Sequence, residues 1–247
     1  MKKVYFPIIN IIIAEIMIFF SMIYYGFGLH MLNLFIIMYL IVRESEINIR
    51  YVLQSLILVI LLRIIGVSIP QFFNTDLLRY PLIYGVMFLP IFYVIKSQQI
   101  SNAELGITFR KIYLYLPLAI IIGTIIGTIE YKILNPVPLI KMSLSNIILL
   151  SIIMFVFIGT VEEIIFRSIL QTRLEKIFSP NQGVLLSGIM FGITHSGYGI
   201  IGEIVFAIVI GITLGYIFVK TRNIVFMIAV HGIANIILFG ILQMVRI

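Results

Sequence analysis

Apolar residues come in unbroken runs along this chain, separated by short polar breaks. The runs lie near positions 4–25, 27–42, 51–69, 80–95, 112–129, 146–169, 183–195, 200–219 and 224–245. Most approach the roughly 20 residues that cross a 30 Å hydrocarbon core as a helix. A strand of a membrane barrel would alternate apolar and polar positions instead. The pattern therefore predicts an all-α fold, a polytopic transmembrane helical bundle of eight or nine spans, with the shorter runs as possible re-entrant segments. The Met1-Lys2-Lys3 start is signal-like, but no small-residue cleavage site follows, so the first run reads as an uncleaved helix.

Composition supports this reading. Of 247 residues, 62% are hydrophobic and 11% charged, where a soluble domain carries about a quarter charged. The formal charge of +7 is spread between the runs, as orienting charges are, and does not form a nucleic-acid-binding patch. The hydrophilic breaks at 43–50, 96–111, 173–182 and 220–223 hold most of the Lys and Arg, as cytoplasmic loops do. Arg79, Lys132, Lys141 and Arg246 fall on the other side. The expected location is a cell membrane, multi-pass, and the abundance of isoleucine suggests a bacterial cytoplasmic membrane. There is no cysteine, which excludes disulfides, thiolate metal sites and a cysteine nucleophile. A single Asp, Asp76, excludes an aspartic dyad. Gly123-x-x-x-Gly127 and Gly211-x-x-x-Gly215 predict close helix approach.

Ionisable groups inside membrane helices cost about 2.5–3.5 kcal/mol each even on mild scales, so each requires a reason. Three groups stand out: Glu162-Glu163-Ile164-Ile165-Phe166-Arg167, Phe191-Gly192-Ile193-Thr194-His195 and His231-Gly232-Ile233-Ala234-Asn235. Residues four apart share a helix face. That spacing sets Glu163 against Arg167 as an ion pair and leaves Glu162, about 100° away, over Phe166 and free for chemistry. It also places Phe191 beside His195 and His231 beside Asn235. At 1.5 Å per residue, His195 lies about 18 Å beyond Gly183, and Asn235 a similar distance beyond Arg222. Glu162 reaches that depth if its helix continues to about Lys176. Elsewhere, Glu15 and Arg63 could pair or snorkel, His30 reads as a solvated loop residue, and Glu203 lies near a helix end. Two glutamates and two histidines could instead ligate zinc or iron, but H-E-x-x-H is absent.

E-E-x-x-x-R, F-x-x-x-H and H-x-x-x-N, in this order on hydrophobic helices, resemble the CPBP family. This is the CAAX-protease and bacteriocin-processing group, also called Abi, which includes the Rce1-type CAAX endopeptidases. The resemblance covers roughly 143–245. It divides the chain into N-terminal helices without a motif, 1–141, and a CPBP-like catalytic domain, 142–247. It implies a glutamate-dependent membrane endopeptidase with no metal or other cofactor. Glu162 would be the general base and His195 would position or activate the water. His231 and Asn235 would form the oxyanion hole, while Glu163, Arg167 and Phe191 would support the site. The implied partners are a peptide or protein substrate at the membrane and the lipid bilayer itself. Relatives are linked to bacteriocin maturation, self-immunity and quorum-sensing peptide processing. The chain resembles a compact Gram-positive member, for which pheromone processing is the leading reading and a non-proteolytic scaffold or immunity protein the alternative.

Overall fold

A computed structural model describes residues 2–69, 77–137, 139 and 143–244. Asp76, Lys141 and Arg246 lie outside the described residues. The described chain is helical, with no strand. Helix α1 covers Lys2–Phe19, α2 Ile23–Arg43, α3 Ile47–Ser68, α4 Arg79–Ser97, and the short α5 Asn102–Leu105. Helix α6 covers Ile112–Leu134, and α7 is a continuous 34-residue helix, Leu144–Ile177. Helix α8 covers Pro180–Ile193, followed by a 3-10 segment Thr194–Tyr198, then α9 Ile201–Thr221 and α10 Ile224–Met244.

Seven of these, α2, α3, α4, α6, α7, α9 and α10, are long and apolar enough to cross a membrane, and the protein is a multi-pass membrane protein. The expected count of eight or nine relied on two further runs. Helix α1 has 18 residues and carries Lys2, Lys3 and Glu15. Helix α8 has 14 residues, because the chain tightens at Thr194 into the 3-10 turn. The first break also comes earlier than the apolar run implied. Ser21 adopts a positive φ of 62°, so the chain turns there and not after Tyr25. Lipid-facing side chains such as Phe92, Tyr93, Ile121 and Val209 are exposed, as a bilayer requires.

The four polar breaks gather at one end of the bundle. Lys3 pairs with Glu44 at 2.9 Å. Arg173 donates to Gln98 at 2.6 Å and pairs with Glu104 at 2.5 Å, and Gln98 donates to Gln54. Arg222 pairs with Glu175 at 2.5 Å, and the Ile224 amide donates to the Gly106 carbonyl at 2.9 Å. The Glu104 carboxyl is partly buried, which pushes its pKa up, but Lys176 and Arg173 more than offset this and hold it below the ordinary carboxylate range.

Helix approach follows the small residues. A Cβ on Gly123 would meet the Val230 carbonyl at 2.7 Å, and one on Gly127 would collide with the Ala234 carbonyl. The Gly123–Gly127 face thus packs α6 directly against α10. Gly211 packs against Gly188 and Gly215 against Gln171 and Val184, which draws α9 onto α8 and α7.

Candidate active site

Helix α7 reaches the site in a distorted form. Two π-helical stretches, Ile153–Gly159 and Ile164–Gln171, flank a single α-turn, Thr160–Glu163, which carries both glutamates. Thr160 Oγ1 donates to the Phe155 carbonyl at 2.8 Å, closing the wide turn. Such π turns concentrate at functional sites because they re-aim side chains within a helix. As the depth argument required, α7 continues past Arg167, to Ile177.

Glu163 and Arg167 pair, with Nε 3.2 Å from Oε2. Both are buried. The contact is one of charge and not an aligned hydrogen bond, because Oε2 and the Arg167 Nη1 and Nη2 atoms have no hydrogen-bond partner. The guanidinium lies over the Phe191 ring at 4.3 Å, a cation–π contact that gives Phe191 a defined role. Glu163 has a second partner that helix periodicity could not reveal. His231 Nδ1 is 2.8 Å from Glu163 Oε1. A carboxylate only accepts, so His231 donates from Nδ1, and its Nε2 is turned toward Glu162 Oε2 at 3.7 Å.

Glu162 is less free than one-helix geometry implied. The Tyr84 hydroxyl, from α4, donates to Oε1 at 2.5 Å. Nothing in the sequence pointed to Tyr84, which meets Glu162 across 78 positions. His195 lies beyond the end of α8 and not on it, yet its ring stays 5.0 Å from that of Phe191. Its Nδ1 donates to the Phe191 carbonyl at 3.1 Å, which leaves Nε2 as the acceptor of the neutral ring.

Glu162, His195, His231 and Asn235 all line one cavity of about 380 Å³, together with Tyr84, Tyr198 and Glu130. Its exposed wall residues, Gly197 and Tyr198, and its other rim residues Gly66 and Arg79 belong to the ends of elements opposite the polar breaks. A smaller cavity of about 40 Å³ shares Glu130, His195, His231 and Asn235 with it and extends between α6 and α9 to Glu203. Glu130 was overlooked in the sequence, although its intramembrane position alone would have flagged it.

Glu15 and Arg63 do pair, bidentately at 2.6 and 2.8 Å. His30 is not solvated. It is buried in α2 and meets Glu15 Oε1 at 2.9 Å. Ser196, the residue after His195, donates to Glu15 Oε2 at 2.5 Å and so ties the 3-10 turn to α1. Among the described residues no group of three or more His, Cys, Asp or Glu is placed to hold a metal ion.

Residues 144–237 match the family described as type II CAAX prenyl endopeptidase, Rce1-like. No curated protein and no solved structure matches the chain.

Proposed function

Because residues 144–237 match the Rce1-like family of type II CAAX prenyl endopeptidases, we propose that the protein is an intramembrane endopeptidase in which Glu162 activates water. The observation that carries this reading is the setting of Glu162: a carboxylate on a cavity wall, held by Tyr84, with His195, His231 and Asn235 on the same cavity. Glu162 takes a proton from water, and the hydroxide adds to the scissile carbonyl carbon. Asn235 and the Nε2–H of a doubly protonated His231, whose Nδ1–H stays on Glu163, donate to the developing oxyanion, a contribution worth about 3–4 kcal/mol for one well-placed donor. The tetrahedral intermediate then collapses, and the departing amine takes the proton from Glu162. His195 orients the water through its acceptor nitrogen. Glu163 accepts from His231 Nδ1 and holds the imidazolium in place, so that its Nε2–H faces the cavity.

The polar breaks mark the cytoplasmic end by the positive-inside rule. The cavity opens at the other end, which supports an exported or outward-facing peptide precursor, such as a quorum-sensing or bacteriocin peptide, as the substrate class. With α1 and the α8 segment counted as crossings, the bundle has nine spans. The native chain lacks cysteine, so single-cysteine variants report cleanly. In intact cells an impermeant maleimide should label Gly197→Cys, but not Ser101→Cys until the membrane is opened. The reverse pattern would overturn the orientation. For the reaction itself, cleavage of precursor peptides in liposomes should survive EDTA and vanish in Glu162→Gln. Activity lost to EDTA and restored by one metal would replace this mechanism with a metalloprotease.

A further inference from the structure

Two carboxyls lie beside the catalytic groups without a role in the reaction. Glu130, from α6, and Glu203, from the first turn of α9, meet in the wall of the smaller cavity. Glu203 is fully buried, and among the described residues its oxygens face only the Glu130 carboxyl, with no amide, hydroxyl or cationic donor on them. No Lys, Arg or His among the described residues forms an ion pair with Glu203 or Glu130; Arg63 and Arg79 line the larger cavity with Glu130, and Arg63 is committed to Glu15. A buried ionisable group is expensive unless a partner compensates it. Two acceptors facing each other need a proton or a cation between them.

The surrounding shape selects between these. The cavity is about 40 Å³ and is walled by Phe206, Ala207, Ile210 and Leu214, with the carboxyl pair as its only acidic feature. That volume exceeds the 10–15 Å³ or so that one water needs. An apolar cavity with two acceptors where it joins the catalytic one suits a flexible methylene stem tipped by a compact ammonium, which is lysine chemistry; the broader, planar guanidinium fits less well. The cavity is continuous with the catalytic one through His195, His231 and Asn235, so a side chain seated here belongs to a residue close to the scissile bond.

We propose that Glu130 and Glu203 form a specificity subsite for a lysine side chain of the substrate peptide. The proposal rests on the endopeptidase reading for its location, but its binding test does not require turnover. The probes are fluorescent dodecapeptides of Leu and Ala with one lysine, norleucine or arginine moved through each position. Binding is measured to Glu162→Gln protein in phosphatidylcholine nanodiscs, with empty nanodiscs subtracted. At one position lysine should bind about tenfold or more tighter than norleucine. Adding Glu130→Gln and Glu203→Gln should bring that ratio to about one. Ala207→Leu, which fills the channel and leaves both carboxyls in place, should lower the ratio as well and serves if the triple variant does not fold. Equal binding of lysine and norleucine at every position, or a ratio unchanged by these substitutions, overturns the subsite. Intact lysine preference in a chain that cleaves none of the peptides would uphold the subsite and count against the protease.

Discussion

The bundle contains the same three residue types twice, inside the helices each time and arranged very differently. In the N-terminal half, Glu15, His30 and Arg63 form a closed cluster. Each Glu15 oxygen receives two donors, from Arg63, His30 and Ser196, at 2.5 to 2.9 Å, and only His30 Nδ1 lacks a partner. In the C-terminal half, Glu163, His231 and Arg167 form an open one. The Arg167 Nη atoms and Glu163 Oε2 have no aligned partner, and His231 turns its other nitrogen toward Glu162 on the cavity. Composition does not separate the two, because a structural ion cluster and a catalytic one can use identical side chains. Both reach the larger cavity, the closed cluster through Arg63 and the open one through His231, so what separates them is unspent hydrogen-bonding capacity: satisfied buried charges hold a fold together while unsatisfied ones cost energy that function must justify. The closed cluster also serves the open one. Through Ser196 it anchors the turn that carries His195.

The contrast can be broken at several strengths. The largest effect is expected from Glu15→Leu, which strands Arg63 in the bilayer. Leaving one partner of a buried pair uncompensated costs about 3–5 kcal/mol, read as a fall in melting temperature and in purified yield. Glu163→Gln should cost less stability, about 1–3 kcal/mol, because the pair is poorly aligned to begin with. Glu163→Leu with Arg167→Met should recover part of that stability while turnover remains lost, because His231 then has no carboxylate to hold its Nδ1 proton and its orientation. Equal destabilisation by Glu15→Leu and Glu163→Gln would erase the distinction between the clusters. Tyr84→Phe removes one hydrogen bond to Glu162 and keeps the ring, so kcat should fall roughly tenfold, equivalent to about 1.4 kcal/mol, with little change in melting temperature.

The smallest effect lies at the cytoplasmic end. Glu104 has a depressed pKa in the folded protein. Its contribution is therefore present above the unfolded carboxyl pKa and is lost as pH falls through the lower folded value. Its side chain is 32% exposed at the end of the bundle, so screening limits this to about 1 kcal/mol or less. Melting curves of Glu104→Gln and the native chain should differ slightly at neutral pH and converge in acid.

Much of this was legible in the residues. Unbroken apolar runs gave the helices, the basic breaks gave a common end, and the one-residue offset between Glu162 and Glu163 gave the Arg167 pair. The Glu15–Arg63 contact was among the alternatives because both charges lay in apolar runs. What was not legible depends on tertiary contact. Tyr84 is one of 13 tyrosines and is singled out only by the packing of α4 against α7. A first break at Tyr25 leaves His30 close to a loop, whereas the turn at Ser21 sets it inside α2, against Glu15. His231 could be paired with Asn235 by spacing, but its bond to Glu163 joins two helices 68 positions apart. The π turns of α7 cannot be read from periodicity, which assumes a regular helix.

The separation of the two glutamates tests the account most directly. Native protein, Glu162→Gln and Glu163→Gln would be compared in liposomes for cleavage of a precursor peptide and in detergent for melting temperature. Glu162→Gln should lose turnover by several orders of magnitude at a nearly native melting temperature, whereas Glu163→Gln should lose both activity and stability. Full turnover in Glu162→Gln would contradict the assignment of the base and favour a non-proteolytic scaffold.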